Sequence, residues 1–474
     1  MGERFQSLLF ALQFNRAATV EVASVPLTED TGALVMREVA DQLRLTERLL
    51  ILRDSRDPSL ITHPLSELAL SRILLYAQGW RDQDDADTLR HDPALRMAVS
   101  SRGGDRPLAE PRHEREPTGL ASQPTQSRAL MNIFAEADNL DALGGLLLDL
   151  GMDRIKAENG HLGSLVLDVD SYPIEAHGRQ EGAVYNGHYH KTCLHPNAVF
   201  AETGDLLALQ VRAGNVHTAD DVRSFLEPVL DRAKDIADQV WLRFDSGYAS
   251  GEFFDWLEER GVRWITRLRR NAALMRHVQT WYDTTREEWA KSRNHDQPRT
   301  ATREFSYKAG KWSKERRVMA VLVERSNHSK QGELFDNLFF LATDAARREI
   351  SSEELLHRYR QRGSAEARIG EFVGEIAPKI SSTSMARNQA TALLGALAYE
   401  LVHHLRQRLE NVLGEGMSLR RVRERVLKVA TQVVRHSRRV YFRISESKAD
   451  VWRLVAQALG PPGELRVAAE GATA

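Results

Sequence analysis

The chain has one cysteine, Cys193, in 474 residues. A lone thiol excludes an internal disulfide framework and any zinc site built on several cysteines, and it suits a reducing, cytoplasmic compartment. No run of 18 apolar residues occurs, so no membrane-spanning helix and no membrane partner are expected. The opening MGERFQSLLFALQFNR lacks the charged-then-apolar layout and the small-residue cleavage site of a secretory signal. Net charge is nearly absent too, with 65 Lys and Arg against 66 Asp and Glu. A neutral total by itself argues against nucleic acid, because nucleic-acid binders are usually basic overall. No internal repeat is found.

What is present suits a globular chain of two or three domains, 42% hydrophobic and 28% charged. The charge is unevenly spread. Between Arg406 and Lys448 lie twelve Lys or Arg and four Glu. Within that stretch Arg420, Arg421, Arg425 and Arg438 are candidate phosphate contacts; a solvated helix face is the competing reading. Apolar periodicity makes residues 1–127 mainly helical, with helices expected at 33–55 and over Ser66–Tyr76, and another opening at Pro93. That region is either a DNA-reading module or a plain docking domain, and no base contact is assigned to it. Residues 101–127, rich in Pro, Gly and charge without an apolar period, read as a linker or long loop.

From about residue 160 the period shortens to that of strands. GSLVLDVDSYPI, HPNAVFAE and DLLALQVRAG read as three strands, followed by a helix over Ala219–Ala237. QVWLRFDSGYA is a fourth strand, Ser250–Arg260 a helix, and VRWITRL a fifth strand. A polar stretch, 271–335, carries Trp281, Trp289 and Trp312 and interrupts this layout; NLFFLAT then reads as a returning strand. The segment 351 to about 435 reads as helical throughout, and the last residues as a loose tail.

Three acids stand out by position. Asp170 and Asp245 close strongly apolar strands, the first and the fourth, and Glu366 lies in the helical run LLHRYRQRGSAEARIGEF. If the first and fourth strands are parallel neighbours, both aspartates emerge at the same edge, and a helix on that sheet can bring Glu366 to them. Three such carboxylates could hold two Mg²⁺ ions about 4 Å apart, since Mg²⁺ prefers oxygen ligands and retains waters. Asp168, two residues before Asp170, shares its sheet face and is either a supporting carboxylate or an alternative ligand. Tyr359, Arg362, Glu366, Ile369 and Val373 fall on one helical face. Charges on a face turned to a sheet need partners, and phosphate and metal would supply them. His177, His188, His190, His195 and His217 crowd the same stretch as Asp170 and leave a His/Asp metallohydrolase as the alternative.

At these residues the chain resembles the DDE transposases of bacterial insertion sequences, most closely the group-one DDE domain type. The third motif of that type reads Tyr-x2-Arg-x3-Glu-x6-Lys, and Tyr359, Arg362 and Glu366 match its spacing. Asp170 matches the first motif and Asp245, in D-S-G-Y-A, the second. GRQEGAVYNGH at 178–188, GWRDQDDADTLRHDP and LASQPTQSR are similar to segments of the same family. Two positions depart: Val373 stands where the closing Lys would fall, and Tyr172 where the first motif usually has Thr.

The resemblance implies an α/β, RNase H-like core, a mixed sheet flanked by helices, with an inserted β-rich domain and helical N- and C-terminal regions. The expected boundaries are 1–127 for the N-terminal region and linker, and 128–270 and 336–385 for the two parts of the core. The insertion is 271–335, and the basic C-terminal helical region and tail is 386–474. The implied activity is Mg²⁺-dependent strand cleavage and strand transfer, with Mn²⁺ able to substitute, at terminal inverted repeats and target DNA. Asp170, Asp245 and Glu366 would be both catalytic residues and metal ligands. Tyr359 and Arg362 would contact DNA, and Trp312, in the basic run KAGKWSKERR, would be a stacking platform for a base. The implied assembly is a homodimer on double-stranded DNA, in a bacterial, nucleoid-associated setting. A nuclease of the same fold that does not join strands, and a DNA-binding protein whose catalysis has lapsed, remain as alternatives.

Overall fold

The computed structural model describes residues 8–11, 14, 19–21, 25–111, 117–291, 298–324 and 337–460. Parts of the expected linker and insertion, and the C-terminal tail from residue 461, lie outside the described residues. The chain divides into two compact units. One comprises Leu143–Val373 and Ile380–Ala396; the other comprises Met1–Ala142, Gly374–Lys379 and Leu397–Ala474.

The first unit is a mixed α/β structure built on an eight-stranded sheet. Its strands are β1 (Leu165–Ser171), β2 (Asn197–Ala201), β3 (Leu206–Gln210), β4 (Val240–Phe244), β5 (Arg263–Leu268), β6 (Arg299–Tyr307), β7 (Arg316–Glu324) and β8 (Asn337–Thr343). Their order is β6-β7-β8-β5-β4-β1-β2-β3. β4 runs parallel to both β1 and β5, and every other pairing is antiparallel. The expected sequence of strand, strand, strand, helix, strand, helix, strand is therefore present, with the first and fourth strands as parallel neighbours. The helices are α1 (Val222–Lys234), α2 (Gly251–Glu259), α3 (Ala272–Lys291), α4 (Ser352–Arg360) and α5 (Arg362–Glu371).

Alternation along the strands separates two faces. Leu165, Leu167, Val169, Leu242 and Phe244 enter one core, together with Leu226 and Val229 of α1, Phe253 and Phe254 of α2, and Leu274 and Val278 of α3. Val166, Trp241 and Ile265 enter a smaller core on the other face, covered by Leu355 and Leu356 of α4. On that second face the residues turn from apolar to charged toward the C-terminal strand ends: Val166, Asp168, Asp170 on β1 and Trp241, Arg243, Asp245 from β4 onward. Helix α4 covers the apolar part and leaves the charged edge beside its C-terminal end. Its start is set by Ser351, whose hydroxyl accepts from the amide of Glu354 at 3.1 Å.

Three expectations are corrected. The segment 271–335 does not build a separate β-rich domain in its described part. It supplies a 20-residue helix and the hairpin β6–β7, which extends the main sheet through β8. The reason is burial: β7, RRVMAVLVE, is apolar on both faces and needs cover on each. Second, the single helix expected around Glu366 is two, α4 and α5, meeting at Gln361, and a π turn over Phe372–Ile376 follows. The common face of five residues is broken by these junctions: Ile369 is buried, whereas Glu366 and Val373 are exposed. Third, helix does not continue to 435.

That third correction lies in the second unit. Thr431–His436 and Arg439–Ile444 pair as an antiparallel hairpin, and Leu27–Thr28 adds a third strand. RVYFRI alternates β-branched and aromatic residues with arginine, a strand pattern. Ser437 and Arg438 both take positive φ, 49° and 64°, as a two-residue hairpin turn whose twist matches its strands requires. Helices Leu65–Ala77 and Pro93–Val99 also belong to this unit, near the spans expected, whereas the helix expected over 33–55 ends at Gln42 and short helical turns over Leu45–Ile51 follow it. No helix among the described residues is long and apolar enough to cross a membrane.

Candidate active site

The parallel register pairs Arg243 with Asp168, so Asp245 and Asp170, two residues on, reach the same level at the edge of the sheet. Asp245 opens the turn after β4. One of its carboxylate oxygens accepts from the amide of Gly247 at 2.8 Å. A Cβ at residue 247 would stand 2.9 Å from that same oxygen and 3.4 Å from Thr218, so only glycine leaves the carboxylate undisturbed. Thr266 of β5 donates its hydroxyl to the Asp245 carbonyl at 3.1 Å, tying the turn to the next strand.

Arg362 connects the carboxylates. It donates to Asp170 at 2.5 Å through one terminal nitrogen and to Glu366 at 2.5 Å through the other. The Asp170 side chain is 15% exposed and that of Glu366 61%. Burial pushes the Asp170 carboxyl up to about 6; Arg362 and the Ser171 amide pull the other way, and Asp245 and Glu366 add to the rise. Burial opposes the charge on Arg362, yet Asp170, Tyr359, Glu366 and Asp245 together hold its pKa above the ordinary value. The Nε of Arg362 is buried without a hydrogen-bond partner. Tyr359, at the end of α4, borders the same edge, and burial raises its phenol with Arg362 and Arg267 opposing. The three expected acids are thus electrostatic neighbours, and the expected arginine joins two of them, Asp170 and Glu366.

Among the described residues no group of three or more His, Cys, Asp or Glu is arranged as a metal cluster. The donors fit Mg²⁺ in kind, since they are all carboxylate oxygens, and the mutual repulsion felt by Asp170 is what a cation would relieve. Arg362 now fills that cationic role. Arg362 holds both Asp170 and Glu366, so a metal shared by those two carboxylates would require it to release at least one.

Arg243 and Tyr189 at this edge carried no motif signal. Asp168 and Arg243 form a buried ion pair beneath the two aspartates, with distances of 2.8 and 2.6 Å, and Arg243 also donates to the Arg358 carbonyl at 2.6 Å. Asp168 is therefore bound to Arg243, not presented at the edge. Only the repeated i, i+2 spacing of Asp168-x-Asp170 and Arg243-x-Asp245 could have pointed to the pair. Tyr189 lies near Asp170 and Asp245; burial, ahead of those two charges, raises its phenol. Its hydroxyl is 3.4 Å from Nε2 of His195. His195 is buried, with Nδ1 3.4 Å from the Val216 carbonyl, while His177, His188, His190 and His217 are exposed. Tyr172, where the family's Thr would stand, is fully packed, and its amide donates to the Pro196 carbonyl at 3.2 Å.

The remaining expected residues lie elsewhere. Trp312 is a core residue, not an open platform. It is 8% exposed, its ring meets Phe254 and Tyr307 edge-on at 5.4 and 5.6 Å, and Arg316 lies over it. The basic run around it misled, because the indole turns inward beneath α2. Trp281 and Trp289 pack partly against the same core. Arg420, Arg421, Arg425 and Arg438 belong to the second unit and are all exposed. Arg420 pairs with Glu424 at 2.8 Å.

The edge thus gathers two aspartates from adjacent parallel strands of a mixed sheet, with Tyr359 from α4 and Arg362 and Glu366 from α5 beside them. The model of the family "Transposase DDE domain group 1" matches residues 10–460, and the chain belongs to that family. No curated protein sequence matches the chain. Among solved structures, the chain is similar to one in "Cryo-EM structure of piggyBac transposase synaptic complex with hairpin DNA (SNHP)". Identity is 10% and the TM-score 0.43, over 94% of this chain and 86% of that one.

Proposed function

We propose that the protein is a transposase that binds the terminal inverted repeats of an insertion sequence and catalyses Mg²⁺-dependent strand cleavage and strand transfer. In this reading the first unit is an RNase H-like catalytic core. The observation that carries it is the meeting of Asp170 and Asp245 at the ends of adjacent parallel strands, with Arg362 joining Asp170 to Glu366. Membership of a transposase family over nearly the whole chain supports it independently.

Asp170, Asp245 and Glu366 would hold the metal. When bound, divalent metal activates the attacking water or 3′-hydroxyl and stabilises the leaving oxygen. The chain's own residues do the rest. The Gly247 amide fixes the rotamer of Asp245. Arg362, once its grip on a carboxylate is exchanged, carries a planar charge suited to a phosphate oxygen. Tyr359 stands at the same edge to orient the strand. The basic, exposed arginines of the second unit would hold DNA by its phosphates, and a homodimer would hold two ends.

The test is cleavage of end-bearing DNA with Mg²⁺ by purified protein. Asp170→Asn, Asp245→Asn and Glu366→Gln should each abolish cleavage and leave end binding intact, with non-additive losses, because the three act as a unit. Retained cleavage in Asp245→Asn would remove the carboxylate site. Cleavage without joining of a supplied 3′-hydroxyl end would favour a nuclease.

A further inference from the structure

The hairpin over Thr431–Ile444, in the second unit, has two unlike faces. Residues paired directly across the strands share a face. Thr431 with Ile444, Val433 with Phe442 and Arg435 with Val440 look one way; Gln432 with Arg443, Val434 with Tyr441 and His436 with Arg439 look the other. The first face is anchored within its own unit. Thr431 and Val433 are buried, and the Thr31 hydroxyl donates to that of Thr431. Arg435 pairs with Asp105 at 3.0 Å and donates to the Leu108 carbonyl at 2.8 Å. The second face is open: His436, Arg439, Tyr441 and Arg443 are exposed, as is Arg438 at the turn. Asp105 neutralises the arginine of the anchored face, whereas among the described residues Arg438, Arg439 and Arg443 have no ion-pair partner.

The composition of the hairpin is selective. Between Thr431 and Ile444 stand four arginines and one histidine, with no Lys, Asp or Glu. Arg439–Ile444 is the outer strand of its sheet, and outer strands are commonly protected by lysine. Here every permanent cation is a planar guanidinium, whose rigid fork matches a phosphate or the paired acceptors of guanine. The spacing also fits a duplex. Alternate residues of an antiparallel strand stand about 6.8 Å apart, roughly two steps of the ~3.4 Å repeat along one DNA strand. Arg439, Tyr441 and Arg443 therefore form a row in step with stacked base pairs. A two-stranded ribbon is also an element that the major groove, about 12 Å wide, admits.

We propose that this hairpin enters the major groove of duplex DNA with the face of His436, Arg439, Tyr441 and Arg443 toward the base edges, where Arg439 and Arg443 discriminate sequence. Arg438, at the tip, meets a backbone phosphate. The inference rests on the transposase reading and assigns, within its DNA-binding surface, the element that selects the sequence. Duplex DNA is the occupant, and not a protein strand added at the outer edge, because the open face carries cations and no anion, complementary to a polyanion.

The experiment selects binders from a random-sequence duplex library with the full chain in EDTA. The selected duplex is then compared with a scrambled one of equal length by fluorescence anisotropy. Wild type should enrich one motif. Arg439→Lys/Arg443→Lys keeps both charges and loses both forks, at two exposed positions. It should hold its affinity for scrambled duplex within about twofold, because that binding is set by charge. Its preference for the selected duplex should fall by about tenfold or more. Deazaguanine at the guanines of the motif removes the N7 acceptor from the major-groove edge. It should weaken wild type by about fivefold and leave the double variant nearly unchanged. An undiminished preference in the double variant would overturn the proposal, as would equal effects of deazaguanine on the two proteins. Binding by wild type that enriches no motif would overturn it too. A wild-type chain that binds no duplex at all would instead sink the transposase reading itself.

Discussion

Arg243 grips Asp168 with two hydrogen bonds, 2.8 and 2.6 Å, while its third nitrogen caps the carbonyl of Arg358 at 2.6 Å. Both side chains are nearly inaccessible, at 1% and 2% exposed. One guanidinium thus joins the strand of Asp170, the strand of Asp245 and the last turn of α4, the helix that carries Tyr359. Arg243→Met strands a buried carboxylate and should cost about 3–5 kcal/mol in chemical denaturation. Asp168→Leu/Arg243→Met should recover most of that loss, because a buried pair is commonly replaceable by apolar groups of similar volume. A double variant no more stable than the single would show that the pair is not coupled in this way.

Asp170 predicts a pH dependence. Its carboxyl, ordinarily near 3.8, is raised to about 6 chiefly by burial. A raised carboxyl means that the folded state binds the proton more tightly than the unfolded state. Its contribution to stability is therefore full below about 3.8 and is lost as pH rises toward and through about 6. Metal-free protein should lose at most roughly 3 kcal/mol from this group over that window. Asp170→Asn should flatten the slope in urea unfolding curves taken from pH 4 to pH 7. An identical slope in the variant would show that Asp170 titrates normally.

Arg362 behaves as an internal counter-cation for the acidic edge. Arg362→Gln leaves Asp170, Asp245 and Glu366 without it, so the metal-free variant should melt lower than wild type. Added Mg²⁺ should then raise its melting temperature more than that of wild type, since binding to the folded state alone stabilises by mass action. Cleavage should still be lost, because the phosphate loses its planar partner. Equal Mg²⁺ effects on the two proteins would mean that Arg362 does not compete with metal.

The exposed arginines of the second unit predict salt-sensitive binding. Neutralising Arg421 and Arg425, both without an ion-pair partner among the described residues, should flatten the log–log salt slope for duplex DNA by nearly two units. An unchanged slope would leave them as a solvated surface.

Trp312 predicts a stability effect. Trp312→Ala removes an indole packed against Phe254 and Tyr307 and should cost roughly 3–5 kcal/mol. A well-folded variant with a selective loss of base unstacking would instead restore its expected role at DNA.

Much of the first unit could be read along the chain because its signals are local. LVLDVDS and VWLRFDSG each announce a buried strand with an acid at its end, and Tyr359, Arg362 and Glu366 keep a fixed spacing. The hairpin over Thr431–Ile444 went unread because its two strands are only six residues each and follow directly on a long arginine-rich helical stretch. The embedding of Trp312 went unread because basic neighbours in sequence say nothing about which way one side chain turns.

By itself the sequence determined the order of strands and helices from Leu165 to Leu268 and singled out the three acids and Arg362, since each depends on residue type and short-range period. Only the tertiary structure decided that Arg243 closes on Asp168 and that Arg362 stands between Asp170 and Glu366. It alone decided that the hairpin after α3 extends the main sheet. Most of these joins are long-range: Arg243 and Asp168 lie 75 positions apart, and Arg362 and Asp170 lie 192 apart. Their meeting depends on strand register and on which face a helix covers, and no local pattern carries either.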